Sequence, residues 1–366
     1  MVPDVNAGAS EQGGQSFRIS LIVFLCAIAV LALGAWHYRR FIADDAFISL
    51  RYADRLIHGH GLTWNDGEVV EGYTNLLWVL GCALLGSLGL PLVWAPRILG
   101  FLGMAAAIAA IVWVYRAPTF RGALPAFLAA MGFALCGPVV VWTVGGLEQP
   151  LLVGLLAWAL ALSFPLIEDR QDRVGAVLLP GLLFALASLA RADAILFAFA
   201  ALLGILAARG FTRASLRTGA LLIFLPLLFC AGQVVFRRAY YHEWVPNSAF
   251  AKVAFSKARL RDGLEYVIGS LYLVGLLIPA IVAFFTARSR EARGRVILLG
   301  VVLAAWLGYI TLVGGDQFPG RRQLVPLALV LALLAGAAFQ SWIASRQSLR
   351  APVLAAAICF LALGLC

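Results

Sequence analysis

The segment ISLIVFLCAIAVLALGAWHYRRFIADDAFISLRYADRLIHGHGL, residues 19–62, decides how the rest of the chain is read. An unbroken apolar run from Ile19 to Trp36 is followed by His37, Arg39 and Arg40, and then by two adjacent carboxylates, Asp44 and Asp45. A run of that length meets the roughly 20 residues that a bilayer-spanning helix needs. No small-residue cleavage site follows it, so it reads as a retained anchor and not as a cleaved signal. The acids then stand where a membrane helix reaches water. Charge in that position carries a desolvation cost, which directs attention to function.

Working outward, the same pattern recurs. The 366 residues are 63% hydrophobic and 13% charged, against about 25% charged in globular domains. Apolar runs fall near 19–38, 97–115, 124–145, 150–167, 174–190, 194–208, 218–236, 264–286, 296–313, 323–343 and 351–366. The expected fold is therefore all-α, a polytopic transmembrane bundle of about 11 spans with a helical first external loop. Barrel strands are excluded because the runs lack two-residue alternation. Residues 1–17, polar and rich in Gly and Ser, are expected to be a disordered leader, and 18–366 a single membrane module. The last run stops at Cys366 without a polar flank, which suggests a truncated chain.

The net charge of +10 does not indicate nucleic acid. Most arginines lie in short loops, where they orient helices and meet lipid headgroups. Breaks bearing Arg116/Arg121, Arg170/Arg173, Arg209/Arg213/Arg217, Arg288/Arg290/Arg293/Arg295 and Arg346/Arg350 alternate with a second set. That set comprises Gly145-Gly146-Leu147-Glu148, Arg191-Ala192-Asp193, the 237–262 loop and Gly314-Gly315-Asp316. If the first set is cytoplasmic, every unusual acid falls on the opposite face. The first loop, residues 39–96, joins that face only if the short run 76–90 is interfacial. The six cysteines, at 26, 82, 136, 230, 359 and 366, have no metal-ligand spacing and read as buried thiols.

Stepping about 100° per residue along 44–58 places Asp44, Arg51, Arg55 and His58 on one polar face and Phe47, Leu50, Ala53 and Ile57 on an apolar one. Such a helix lies along a membrane surface and can bring its cations to a phosphate. The plainer alternative makes Asp44 or Asp45 a helix N-cap. Residues 65–75, including Glu71, Tyr73 and Asn75, offer hydrogen-bonding groups suited to sugar hydroxyls, with Trp64, Tyr73 and Trp78 as stacking surfaces, or else form an ordinary loop. His58-Gly59-His60 lacks a third ligand, so no metal is expected, and its glycines suit a helix stop. Glu148, Asp193 and Asp316 each end an apolar run, and Arg191 is placed to neutralise Asp193. Gly314–Arg322 is either a phosphate clamp using Arg321 or a plain turn with interfacial arginines. The aromatic loop 240–252 adds Asn247 and Lys252.

Together DDAFISLRYADRLIHGHGL, EGYTNLLW, GLE, RAD, PNSAFAK and GGDQFPGRR, in this order over residues 19–330, resemble the C-type (GT-C) membrane glycosyltransferases. The pattern is most similar to that of the mycobacterial terminal arabinofuranosyltransferases and their bacterial relatives. It is more distantly similar to lipid A aminoarabinose transferases and protein mannosyltransferases.

The resemblance implies a glycosyltransferase of the bacterial inner membrane, acting on the extracytoplasmic face. Its donor is a polyprenyl-phosphate-linked sugar such as arabinofuranose, and its acceptor an envelope glycan or lipid. No cofactor is implied. It also implies that Asp44 and Asp45 hold the catalytic acid position and that Glu148 and Asp316 match the GLE and GGD motifs. Arg51, Lys252 and Arg321 are the expected phosphate ligands. Arg55, His58, Glu71, Tyr73, Asn75, Glu148, Asp193, Asn247 and Asp316 are the expected substrate contacts. The family's RPDG is Arg191-Ala192-Asp193-Ala194 here, which keeps the acid without the Pro and Gly. The competing readings are a transporter or flippase for a lipid-linked sugar, and an inactive truncated relative.

Overall fold

The computed structural model describes residues 5–168, 173–247, 256–270 and 274–345. Every regular element among them is helical, apart from an isolated bridge between Asn65 and Glu68. In chain order the helices are α1 (Val5–His37), α2 (Ala46–Ile57), α3 (Leu76–Ser87), α4 (Ala95–Val114), α5 (Phe120–Ala134), α6 (Gly137–Val144) and α7 (Gln149–Glu168). There follow α8 (Val174–Ala190), a 3-10 turn (Ala192–Ala194), α9 (Ile195–Arg209), α10 (Arg213–Tyr240), α11 (Lys257–Ile268), α12 (Val274–Thr286), α13 (Arg290–Val313) and α14 (Leu324–Ser345).

Seven described helices are long and apolar enough to cross a membrane, or eight if the bent pair α5–α6 makes one span. The expected count of 11 is not reached, for identifiable reasons. Helix α8 has 17 residues, about 26 Å at 1.5 Å per residue, just short of the roughly 30 Å hydrocarbon core. The expected span 264–286 is two helices. Lys257, Arg259, Arg261, Asp262 and Glu265 make α11 a polar surface helix, capped by Ser256 and closed at Gly269. The run 351–366 lies outside the described residues. Residues 5–17, expected to be a disordered leader, continue α1 as helix. Extending a helix already nucleated by the apolar run costs little per residue.

Helix α14 forms the centre of the bundle, with the whole stretch from Leu324 to Phe339 buried. It packs chiefly on α12 and α5, while α4 lies along α7, α8 along α10 and α9 along α13. The α4–α7 pair shows how apolar helices associate without a hydrophobic gradient. A Cβ on Gly103 would lie 2.3 Å from the Pro150 carbonyl oxygen, and one on Gly154 2.5 Å from that of Gly103. Small residues let the backbones touch and gain dispersion contacts. Between α5 and α6 the axis turns by 62°. Cys136 is extended at the break, and Pro138, in the first turn of α6, has no amide to bond back to α5 and so cannot continue its ladder.

The two ends of the bundle differ chemically. At one end, Arg295 forks onto Glu168, joining α13 to α7, and Arg209 donates to the Leu166 carbonyl at 3.1 Å. At the other end sit the first loop and the turns at 145–148, 191–194 and 314–323. Helix α3, at 12 residues, reaches about 18 Å and cannot cross, so α2 and α3 remain together at this end. Their shared core is Leu50, Ala53, Trp78, Val79 and Cys82. Arg237 near the end of α10 forks onto Glu71, with Nη2 to Oε1 at 3.1 Å, and both are buried.

Two outcomes follow from this arrangement. In a chain stripped of native cysteines, thiols placed at Asp66 and Gln317 label with an impermeant reagent from one side, and a thiol at Arg293 labels only from the other. Labelling of positions 66 and 317 from opposite sides would refute the topology. Glu71→Gln strands a buried guanidinium and costs about 3–5 kcal/mol, whereas Arg51→Ala removes only exposed contacts and costs less than about 1 kcal/mol. Thermal unfolding in detergent separates the two.

Candidate active site

The site is assembled by three rings and a pair of glycines. Trp142 of α6, fully buried, takes Phe41 of the first loop and Phe318 of the 314–323 turn edge-on, at centroid separations of 5.7 and 5.8 Å. The Ala43 amide donates to the Gly145 carbonyl at 2.9 Å. Gly146, at φ 90°, has room for no side chain, since a Cβ there would lie 2.8 Å from the Ala46 methyl. The Gly145-Gly146 step thus admits the start of α2 directly above Glu148.

A cavity of about 160 Å3 opens at this junction. Asp45, Ser49, Tyr73, Asn75, Glu148, Arg191 and Arg322 line it, together with Ile48, Gly72, Thr74 and Leu147. It is smaller than the roughly 300–1,000 Å3 of pockets that swallow a whole ligand, so it suits a reacting headgroup. A larger cavity of about 780 Å3 lies at the opposite end, near Arg288, Arg295 and Trp342, and none of the expected site residues line it.

Asp45 precedes α2, and its side chain makes no capping bond. Its carboxylate has no hydrogen-bond or ion-pair partner among the described residues, so it faces the cavity uncommitted. Asp44 instead accepts the Asp45 amide at 2.9 Å and is not part of the cavity wall. The N-cap alternative therefore fails for Asp45.

Beneath Asp45 lies a continuous polar network. Arg191 donates through Nη1 to Glu148 Oε1 at 2.8 Å and through Nε to Asp193 Oδ1 at 2.9 Å. Tyr309 donates to Asp193 Oδ2 at 2.8 Å. Glu148 Oε2 accepts from Asn75 Nδ2 at 3.0 Å, and the same amide donates to Ser49 Oγ at 3.0 Å. Glu148 is 5% exposed. Asp316 accepts Arg322 Nε at 3.2 Å and the Phe318 amide at 3.2 Å. Burial pushes the Asp316 carboxyl above its ordinary range, and Arg322 partly offsets that. The two Nη groups of Arg322 have no partner among the described residues; its guanidinium stacks 4.1 Å over Phe318.

Other expected site residues are employed elsewhere. Arg51 donates to the Trp64 carbonyl at 3.2 Å, and Arg55, buried, donates to Thr63 Oγ1 at 2.8 Å and Asp66 Oδ1 at 2.6 Å. The basic face of α2 thus holds the 63–66 loop in place of a phosphate. Arg55 keeps the exposed Asp66 carboxyl below its ordinary range. His58 donates locally from Nδ1 to the Asp54 carbonyl oxygen at 2.8 Å. Glu71 is consumed by Arg237, and the Asn247 amide donates to the Glu71 carbonyl oxygen at 3.2 Å. Arg321 donates to the Tyr266 carbonyl oxygen and stacks on its ring. Trp78 is fully buried and packs in the core, so it offers no stacking face. Tyr73 lines the cavity with its hydroxyl 3.1 Å from that of Tyr241, and burial raises its phenol above the ordinary range. Lys252 lies outside the described residues. No group of three or more metal-ligating side chains occurs among those described.

Of the residues singled out in the sequence, Asp45, Tyr73, Asn75 and Glu148 line the cavity, and Asp193 and Asp316 pair with the Arg191 and Arg322 that line it. Sequence reasoning assigned Arg191 only to Asp193, and missed Ser49, Arg322 and Tyr309 as site residues. Ser49 stands one helical turn from Asp45 and Arg322 adjoins Arg321, so both were within reach. Tyr309 lies in an apolar run and gave no signal.

Comparison with known proteins bears on the fold and on sequence relatedness. No family model matches the chain. It is 30% identical over 360 residues to the terminal β-(1→2)-arabinofuranosyltransferase of Mycobacterium tuberculosis, covering 86% of this chain and 55% of that protein. The Corynebacterium glutamicum enzyme of the same name is 28% identical, covering 88% and 52%. The chain thus spans about half the length of these relatives. Among solved structures, ArnT from Cupriavidus metallidurans bound to undecaprenyl phosphate superposes with a TM-score of 0.68 at 17% identity, covering 92% of this chain and 62% of ArnT. Its apo state gives 0.57, covering 90% and 61%. The chain is a polytopic membrane protein of the GT-C fold that resembles the terminal arabinofuranosyltransferases in sequence.

Proposed function

We propose that the chain is the membrane module of a glycosyltransferase that moves a sugar, of the arabinofuranose class, from a polyprenyl-phosphate donor to a hydroxyl of an envelope glycan or lipid. The reaction takes place on the extracytoplasmic face of the bacterial inner membrane. The observation that carries the reading is the uncommitted Asp45 carboxylate sharing a headgroup-sized cavity with Arg322. The names of the sequence relatives supply the sugar class, and the undecaprenyl phosphate in the ArnT structure supplies the donor type. The charged groups that line the cavity lie at one end of the bundle, whereas transporters generally place theirs near the bilayer midplane.

The chemistry divides between the two residues. An acceptor hydroxyl is a poor nucleophile until a base takes its proton, and Asp45 is placed to do so. The acceptor oxygen then bonds to the anomeric carbon as the bond from that carbon to the phosphate oxygen breaks. The electron pair leaves with the phosphate. The free Nη groups of Arg322 are aimed at that developing charge, where preorganised donors act most strongly. Lys252, which lies outside the described residues, remains a proposed second cation.

Membranes carrying the chain are assayed with radiolabelled polyprenyl-phosphoryl arabinose and an envelope acceptor. Asp45→Asn inserts normally and loses about 10²–10⁴-fold of transfer, while Asp44→Asn loses much less. Arg322→Gln loses about 10–100-fold, matching a charge-assisted contact of roughly 1.5–3 kcal/mol. Arg321→Gln stays within about threefold on the same scale, because its guanidinium is already spent on Tyr266. Undiminished transfer by Asp45→Asn would remove this residue from the mechanism.

A further inference from the structure

We propose that Arg191 is a positioning residue which, through Glu148, Asn75 and Ser49, holds the first turn of α2, and with it the Asp45 carboxylate, in place against the cavity. The proposal rests on the reading of Asp45 as the base.

Four segments distant in sequence meet along one chain of contacts. It starts at Tyr309 on α13, whose ring stacks on Trp306 at 5.0 Å. Trp306 is itself fixed by Phe197, at 4.6 Å, and by donating its indole N–H to the Gln323 carbonyl oxygen at 2.8 Å. Tyr309 therefore presents its hydroxyl to Asp193 from a ring with little freedom. Asp193 accepts both Nε and Nη2 of Arg191, and the planar fork fixes where Nη1 points. Nη1 reaches Glu148 Oε1, and the other Glu148 oxygen takes the Asn75 amide. Asn75 passes the constraint to Ser49.

Ser49 lies four residues after Asp45, one helical turn away on the same face. The chain of contacts therefore ends directly beneath the proposed base. Asp45 itself has no bond to hold it, so its placement depends on where the α2 backbone sits. Arg191 supplies the only full charge that can satisfy Glu148 among the described residues, and a buried carboxylate left without a cation shifts or protonates. Loss of Arg191 thus releases Glu148, then Asn75, then α2.

The test uses the full chain in proteoliposomes with radiolabelled polyprenyl-phosphoryl arabinose, measuring kcat and donor KM separately. Because Arg191→Gln is a severe change, the decisive variants are Tyr309→Phe, which removes one hydroxyl far along the chain, and Asn75→Ala. Each lowers kcat about tenfold with donor KM within about threefold, as expected for a misplaced reacting group. Tyr309 and Asn75 make no hydrogen bond to each other, yet the double variant loses no more than the worse single one, since both act through the same link. Arg295→Gln, which breaks the pair with Glu168 at the opposite end, lowers yield and leaves kcat unchanged. If Asp45→Asn is inactive but Tyr309→Phe and Asn75→Ala keep full kcat, or if their losses multiply, the positioning role is overturned while the reading of Asp45 stands. If Asp45→Asn retains full transfer, both fail together.

Discussion

A guanidinium largely withdrawn from bulk water is best held among carboxylates, and Arg191 is paired with two. Its fork on Asp193 and its single bond to Glu148 join the α8–α9 turn to the start of α7. Removing a charge from water costs several kcal/mol even after relaxation, and only close partners recover it. The turns of the bundle at this end are therefore not free to choose their relative positions. Helix packing brings them near, through contacts such as Gly103 on Gly154, and ion pairing fixes the last ångström.

The same logic explains why the two ends of the molecule behave differently. Arg295 with Glu168 is a closed pairing, one guanidinium forked on one carboxylate. At the end that bears the smaller cavity the pairings are incomplete. Asp45, Glu148, Asp193 and Asp316 face Arg191 and Arg322, four carboxylates against two guanidinium groups. On the proposed reading, a bound anionic headgroup needs Arg322's spare donors, and cationic character developing on a sugar carbon is favoured by the surplus of carboxylates.

Much of this was legible in the residues. Apolar runs placed most helices, and alternation of arginine-bearing breaks with acidic ones placed Glu148, Asp193 and Asp316 at one end. What failed was the division of labour among charges. Arg51, Arg55 and Arg321 look as available as Arg191 and Arg322 in sequence. Their fates depend on which carbonyl or carboxylate lies within hydrogen-bonding distance after folding: the 63–66 loop takes the first two and Tyr266 takes the third. Periodicity describes a face of a helix, not what covers it. The same limit hid Tyr309, whose hydroxyl gains meaning only when α13 packs beside α9. The long span expected at 264–286 failed because hydropathy averaged a polar surface helix together with the apolar one that follows.

The modest volume of the cavity divides recognition of a lipid-linked donor into two independent problems. A space of about 160 Å3 can sense the stereochemistry of a ring and the charge beside it, but it is blind to how many isoprene units follow. On the proposed reading, tail length and saturation are left to the lipid-facing surface of the bundle, where contacts are fluid and sequence-tolerant. Such an enzyme is strict about the sugar and permissive about the carrier. Changes to the outer faces of its helices can then retune it to another membrane without touching the chemistry.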